Sequence, residues 1–251
     1  MVSGKMHRMA NPAGVTQTVV LAAGNGSRLG SQASGIPKPL VVVGGVPLVG
    51  HALAHARSTG CREAVVVVGY EGASVRAAVE TMKGDLSVRF VETSDPSAPN
   101  GLSLLAAAPL AAPLFFLQMV DHLFCQPTLP RLAASPLAGD EEGRVLVDGA
   151  PGELDLNDAT KVRVTEGRVR AIGKGLEPWD AIDAGCFLLT RAIFDALGRV
   201  PSSEPRTVSS GMRQLVAGGF LGAVDLEGVP WVDVDTPSDR ELAERLLNPT
   251  V

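Results

Sequence analysis

The sequence predicts an α/β fold, a three-layer and mostly parallel sheet, and three observations predict it. Aliphatic and β-branched runs recur along the first half, at Val19 to Leu21, Glu63 to Tyr70 and Leu114 to Val120. Segments of helical spacing separate them, at Leu48 to Ser58, Ala73 to Met82 and Gly101 to Ala108. From about residue 143 the texture changes to apolar–polar alternation with turn glycines. Continuous apolar strands are what a parallel sheet needs when helices cover both faces. Strand–helix alternation builds such a sheet through right-handed crossovers. The later alternation reads as antiparallel strands added to the same Rossmann-like sheet.

Each element follows from local chemistry. Leu40 to Val43 is a short apolar run, and "GGVP" after it is a turn. The helix at Leu48 to Ser58 closes at Gly60, a residue suited to the position just past a helix. Val88 to Glu92 reads as a further strand. "RVLVDG" and "AIDAGCFLLT" are strands of the second half, and "KVRVTEGRVRAIGK" is a hairpin with Glu166-Gly167 at its turn. Residues 192 to 198, 208 to 217 and Pro237 to Leu247 complete the helices. Residues 1 to 16 read as a disordered lead-in. Residues 17 to 251 read as one domain of two lobes, divided after residue 142.

Composition narrows the function classes. A chain of 251 residues with 45% hydrophobic content supports one sizeable core. A net charge of -5 implies no basic face, which argues against nucleic acid. Cys61, Cys125 and Cys186 have no metal-ligand spacing and read as small buried residues in a reducing compartment. The most apolar interior stretch, Ala106 to Val120, is broken by Pro109 and Pro113 and is too short to span a bilayer. The lead-in has no apolar core of a signal peptide. A soluble, cytoplasmic protein without a membrane partner is expected.

The chemistry begins at "VVLAAGNGSRLG", residues 19 to 30. A dinucleotide fingerprint needs G-x-G-x-x-G and an acidic residue on the next strand end. Here the third glycine, Gly30, comes one residue late, and no P-loop lysine follows. Gly24 and Gly26 let backbone N–H groups approach phosphate oxygens. Arg28, and Lys38 within "IPKPL", supply two cations for the same phosphates. The plainer alternative is a tight turn with two surface cations.

Carboxylates at strand ends strengthen the phosphate reading. Asp121 ends a buried strand in "LQMVDHLF", and Asp233 and Asp235 lie in "PWVDVDTPSDRE". Two hard oxygen ligands with phosphate oxygens suit Mg²⁺. Asp121 and Asp235 are the expected metal ligands, with Asp233 as the alternate. The two latter share a face if the segment is extended. The alternatives are a strand end meeting water for Asp121 and a helix cap or surface charge for Asp235. His122 either orients a ligand or is a satisfied structural histidine.

"LAAGNGSRLG…PKPL" resembles the opening signature of nucleotidyltransferases with a GT-A-like α/β fold, which activate sugar, alditol or alcohol phosphates with an NTP. "MVDHLF", "ATKVRVTEGRVRAIGKGL", "DAGCFLL" and "WVDVDT" follow in order. Together they are similar to the CTP:inositol-1-phosphate cytidylyltransferases over residues 17 to 247. The resemblance implies that residues 17 to 142 form a nucleotide-binding lobe and residues 143 to 251 an acceptor-binding lobe that covers the site. It implies that the loop of Leu21, Ala22, Ala23, Gly24, Asn25, Gly26 and Ser27 cradles CTP. Arg28 and Lys38 then neutralise the triphosphate, and Asp121 and Asp235 hold Mg²⁺. Lys161 and Lys174 meet the acceptor phosphate and the α-phosphate, in either assignment; the alternative is a pair of solvated strand lysines. Asn100, Gly101 and Ser103, in "SAPNGLS", match the base-reading position; the alternative for Asn100 and Ser103 is a helix cap.

Two departures from the family bear on substrate and product. Relatives often carry a membrane-bound partner domain, and no apolar stretch of about 20 residues is present here. The activated product is therefore expected to pass to another protein. "SAPNG" also lacks the lysine of the family's "KGNG". That opens the acceptor to alditol, aminoalcohol, phosphonate and cyclitol phosphates, with inositol 1-phosphate preferred. The expected reaction is transfer of CMP from CTP to that acceptor with release of pyrophosphate. The alternatives are a sugar-1-phosphate enzyme using UTP, dTTP or GTP, and an inactive nucleotide-binding module. Arg28, Lys38, Asp121 and Asp235 together argue against the module. The expected partners are CTP and the small acceptor, and a homo-oligomer is compatible with the sequence.

Overall fold

The computed structural model describes residues 11–29, 36–152 and 154–248. The first half contains β1 (Gln17–Ala22), β2 (Val42–Val43), β3 (Val46–Pro47), α1 (Leu48–Ser58), β4 (Glu63–Val68), α2 (Gly72–Met82), β5 (Ser87–Glu92), α3 (Asn100–Ala107) and β6 (Leu114–Met119). Next come β7 (His122–Phe124), α4 (Leu129–Leu132), β8 (Gly143–Asp148), β9 (Lys161–Thr165), β10 (Arg168–Gly173) and β11 (Ala181–Thr190). The chain closes with α5 (Ala192–Gly198), α6 (Val208–Ala217), β12 (Leu221–Asp225), β13 (Trp231–Asp233) and α7 (Pro237–Leu247).

Nine strands form one sheet in the order β5-β4-β1-β6-β11-β8-β12-β10-β9. The pairs β5–β4, β4–β1 and β1–β6 are parallel, as the continuous apolar runs predict. β11 joins β6 antiparallel, and the rest of the second half is antiparallel except for β8–β12. The sheet therefore takes strands from both halves of the chain.

Period-two alternation makes the three layers. Val20, Ala22, Val66 and Val68 point to one core, where they meet Leu48, Leu53, Val75 and Val79 of α1 and α2. Val19, Leu21, Val65 and Val67 point to the other, with Leu104, Leu197 and Met212 of α3, α5 and α6. A strand buried on both faces cannot alternate with polar residues, which is why β1 is buried at every position.

The 161–174 hairpin turns where the sequence places it. Glu166 (φ 52°) and Gly167 (φ 72°) are both left-handed, as a two-residue turn of matching twist requires. α7 begins with a capping box, in which Thr236 and Asp239 bond each other's backbone N–H.

The lead-in departs from expectation in part. Residues 1–10 lie outside the described residues, as does Gly30. Residues 11–16 are anchored rather than disordered: Asn11 Nδ2 donates to the Val15 carbonyl at 2.7 Å, and Val15 is in the core. The Thr16 carbonyl accepts from Arg62 N, which ties this segment to the start of β4. Among the described residues no helix is long and apolar enough to cross a membrane. Cys61 and Cys186 are buried and Cys125 is half-buried, all as free thiols.

Candidate active site

Two short strands outside the main sheet bring the carboxylates together. β7 and β13 pair antiparallel, with His122 opposite Asp233. Val234 N donates to the Asp121 carbonyl at 3.0 Å, extending the same ladder. Asp121, in the tight turn between β6 and β7, thus sits beside a segment more than 100 residues later in the chain. Asp235 N donates to the Asp233 carbonyl at 3.1 Å, which closes a turn around Val234. The segment is not extended there, and the two carboxylates take different partners.

Cations from both halves of the chain complete the cluster. Lys38 Nζ donates to Asp121 Oδ2 at 2.5 Å and also to Asp235. Pro37 and Pro39 hold Lys38 in a single 3₁₀ turn, Lys38–Leu40. Arg28 bonds Asp235 Oδ2 at 2.6 Å and Asp158 Oδ2 at 2.8 Å. Asp158 also accepts from Lys174, so one carboxylate on the β8–β9 loop ties the first loop to the hairpin. These residues line a cavity of about 830 Å³.

The electrostatics follow from burial and close pairing. Burial disfavours the Lys38 charge, but Asp121, Asp233 and Asp235 outweigh it and raise its pKa. Burial likewise pushes Asp121 up, but Lys38 and His122 outweigh it and hold it well below the usual carboxylate range. Burial lowers His122, but Asp233, Asp121 and Asp183 lift it to about 9. His122 is therefore an imidazolium whose Nδ1 donates to Asp121 Oδ1 at 2.8 Å. Its ring stacks on Trp231 at 5.4 Å, and Trp231 Nε1 is fixed by Asp148 at 2.7 Å. Burial raises Asp233 to about 6.

The donor set fits a hard divalent cation. Asp121, His122 and Asp233 offer ligand atoms within 4.8 Å of one another. Asp233 Oδ1 is buried and has no hydrogen-bond partner among the described residues. A buried carboxylate oxygen without a donor is costly unless a cation or water satisfies it. His122 Nδ1 is engaged by Asp121 Oδ1, and the carboxylate oxygens of the cluster are the donors Mg²⁺ prefers.

The MobA-like NTP transferase domain matches residues 18–200. The chain belongs to this family. A bifunctional IPC transferase and DIPP synthase from Rubrobacter xylanophilus is 38% identical over 230 residues, covering 91% of this chain and 51% of the relative. A CMP-5'-(3-aminopropyl)phosphonate synthase from Streptomyces rubellomurinus is 31% identical, covering 93% of this chain and 39% of the relative. The chain thus spans about half the length, or less, of these curated relatives. The structure of the inositol-1-phosphate CTP transferase from T. maritima shares the fold, with a TM-score of 0.81 at 24% identity, covering 97% of this chain and 99% of that one. The GT-A-like architecture expected from the sequence is therefore the one observed.

Within this NTP transferase domain, Arg28, Lys38, Asn100, Asp121, Lys174, Asp233 and Asp235 line a common cavity. The other expected residues take partners within the fold, as does the Asn100 amide oxygen. Leu21, Ala22 and Ala23 are buried, and the Leu21 and Ala23 carbonyls accept from Val120 N and Tyr70 N. Gly24 lies against the Lys38 stem, and Asn25 Oδ1 accepts from Ser27 N in the same loop. Asn100 Oδ1 caps α6, accepting from Val208 N at 2.8 Å. Gly101 packs on the Arg206 carbonyl, 2.3 Å from where a Cβ would stand, and Ser103 is buried. Lys161 is not on the cavity wall, although its ladder partners Gly173 and Ile182 are; its Nζ lies 3.5 Å from Glu177.

Asp158, Asp183 and Ser209 fall in the segments that the sequence places around the acceptor, Asp155 to Thr160, Trp179 to Gly185 and Thr207 to Gly211, and the structure adds Arg213, so that α6 offers Ser209 and Arg213. The last two are four apart on a helix and so share a face. That spacing is the signal in the sequence that finds them. Asp158 has a weaker signal, the density of acids in "GELDLNDATK" immediately before a strand.

Proposed function

We propose that the chain transfers CMP from CTP to a phosphorylated cyclitol, inositol 1-phosphate, releasing pyrophosphate and forming a CDP-activated product. One observation carries this reading. Arg28, Lys38 and Lys174 gather with Asp121, Asp233 and Asp235 on one cavity large enough for two small phosphorylated molecules. The names of the relatives from R. xylanophilus and T. maritima support the nucleotide and the acceptor.

An oxygen of the acceptor phosphate attacks the α-phosphorus, and the bond from that phosphorus to the bridging oxygen of pyrophosphate breaks. Two polyanions must meet, so positioning and charge neutralisation carry the catalysis. Arg28 and Lys38 exchange their carboxylate partners for the triphosphate. Lys174, on the second arm of the hairpin, takes the acceptor phosphate. The nucleophile is already an anion, so no general base is required. Asp121 with Asp235, or with the alternate Asp233, would hold Mg²⁺, which supplies further neutralisation of the triphosphate.

A second reading, with an aminoalkylphosphonate acceptor, has support in the Streptomyces relative. Pyrophosphate release from CTP with inositol 1-phosphate, set beside UTP, dTTP and GTP and beside 3-aminopropylphosphonate, tests both. Asp121→Ala is expected to abolish turnover and to weaken Mg²⁺-dependent CTP binding. Wild-type rates in that variant, or a clear preference for another nucleotide, overturn the reading.

A further inference from the structure

Asp183 is a carboxylate in the cavity that the proposed chemistry does not use. β11 pairs with β9 through Ala181 and Ile182, and with β6 from Cys186 onward. Residues 183–185 lie between these two ladders, where β11 exchanges one neighbour for the other. Gly185 (φ 69°) makes that break, and His122 packs directly against it. The Asp183 backbone N–H donates to the Thr160 carbonyl at 2.8 Å, and its Oδ1 accepts from Gly185 N at 2.8 Å. Among the described residues its second carboxylate oxygen receives no hydrogen bond, and no lysine or arginine is paired with it.

A half-buried carboxylate on the cavity wall, with one oxygen taken by Gly185 N, has the other left to accept from whatever replaces water there. Phosphate groups are the wrong partner, because they repel it. Hydroxyl groups are the right one, because each brings a proton and no charge. Asp183 bonds Thr160 through its backbone and lines the same cavity as Lys174, all three from the second half of the chain. Lys174 is the cation assigned above to the acceptor phosphate, so the hydroxyls facing Asp183 are those of the acceptor.

We propose that Asp183 is a specificity-determining residue that accepts hydrogen bonds from the hydroxyls of the acceptor, which makes the acceptor class a polyol phosphate. This inference rests on the reading that the cavity admits a phosphorylated acceptor beside a nucleotide. It excludes simple alkyl phosphates as good acceptors, since they leave the carboxylate without a donor.

Equilibrium binding of inositol 1-phosphate to the full chain, by titration calorimetry, tests the inference without turnover. Asp183→Asn keeps an oxygen for Gly185 N and the shape of the strand, but replaces the second acceptor by an amide donor. It is expected to weaken inositol 1-phosphate binding roughly tenfold or more, the loss expected for a hydrogen bond to a charged group. CTP and ethyl phosphate binding, and the melting temperature, stay at wild-type values. Asp183→Ala is expected to weaken inositol 1-phosphate as much, with some loss of stability as well. Unchanged inositol 1-phosphate binding in Asp183→Asn overturns the inference and leaves Asp183 as a brace for the strand break. No wild-type binding of inositol 1-phosphate at millimolar concentration overturns it too. Tighter wild-type binding of 3-aminopropylphosphonate, lost in Asp183→Asn, overturns the polyol class in favour of an amine. Absence of CMP transfer alongside intact, Asp183-dependent binding overturns the proposed reaction and upholds the role of Asp183.

Discussion

Asp121 Oδ2 lies 2.5 Å from Lys38 Nζ, although 83 residues separate the two in sequence. Their side chains are only 16% and 10% exposed. Removing one member of such a pair leaves an uncompensated buried charge, at a cost of about 3–5 kcal/mol. Lys38→Met strands both Asp121 and Asp235. It is expected to lower unfolding free energy by about 3 kcal/mol and to abolish CMP transfer. Urea unfolding measures the first, and a loss below about 1 kcal/mol contradicts the pairing drawn here.

The parallel half of the fold was legible because its strands carry one simple constraint. A strand covered on both faces must be apolar throughout, and "VVVV" at 65–68 satisfies that without reference to any distant residue. The site was legible where chemistry is unusual in itself: a glycine loop with Arg28, a lysine between prolines, and aspartates at strand ends. Lys161 shows the limit. Its position on a strand was readable, but the face it takes depends on strand register, and a shift of one residue exchanges the faces. Asp158 shows another. It finds Arg28 130 residues away only because a long connection folds over the sheet, and local sequence does not encode that reach.

Gly185→Ala is expected to disable the site while preserving the fold. A Cβ there would stand 2.2 Å from His122 Cδ2, on a backbone with φ of 69°. The imidazolium must move, and with it the bond that aims Asp121. A displacement of about 1 Å in a positioning group costs on the order of 100-fold in rate. Left-handed alanine adds about 1–2 kcal/mol of strain. Pyrophosphate release and a thermal melt on the same sample separate the two effects. Wild-type turnover contradicts the role given to His122.

Asp158→Asn is expected to tighten nucleotide binding. Asp158 occupies Arg28 and Lys174, the cations that phosphate oxygens need. All three side chains are about half exposed, so the pairs contribute little to stability, within about 0.5 kcal/mol. Loss of the carboxylate charge removes a competitor for phosphate. KM for CTP is expected to fall severalfold while the melting temperature stays put. A rise in KM at unchanged stability instead means that Asp158 itself touches substrate.

His55 is expected to make stability depend on pH. Burial pushes its pKa from 6.5 down to about 4. Nε2 accepts from Thr128 N at 2.8 Å and Leu129 N at 3.2 Å, so the ring proton is on Nδ1, 3.1 Å from Gln118 Oε1. Protonation of Nε2 would turn an acceptor toward two donors. The unfolded chain takes up a proton near pH 6.5, and the folded chain resists until about pH 4. The contribution of neutral His55 is therefore complete above 6.5, falls as pH drops from there to about 4, and is lost below that. The difference of about 2.5 pKa units corresponds to roughly 3 kcal/mol. Asp183 and Asp233, both raised to about 6, work in the opposite direction over the same range, so wild type alone does not isolate the effect. His55→Asn, which takes up no proton, does. It is expected to be less stable than wild type at about pH 7.5, and the gap is expected to shrink as pH falls toward about 4.5. Urea midpoints of both proteins at the two pH values give the comparison, and a gap that does not change with pH contradicts it.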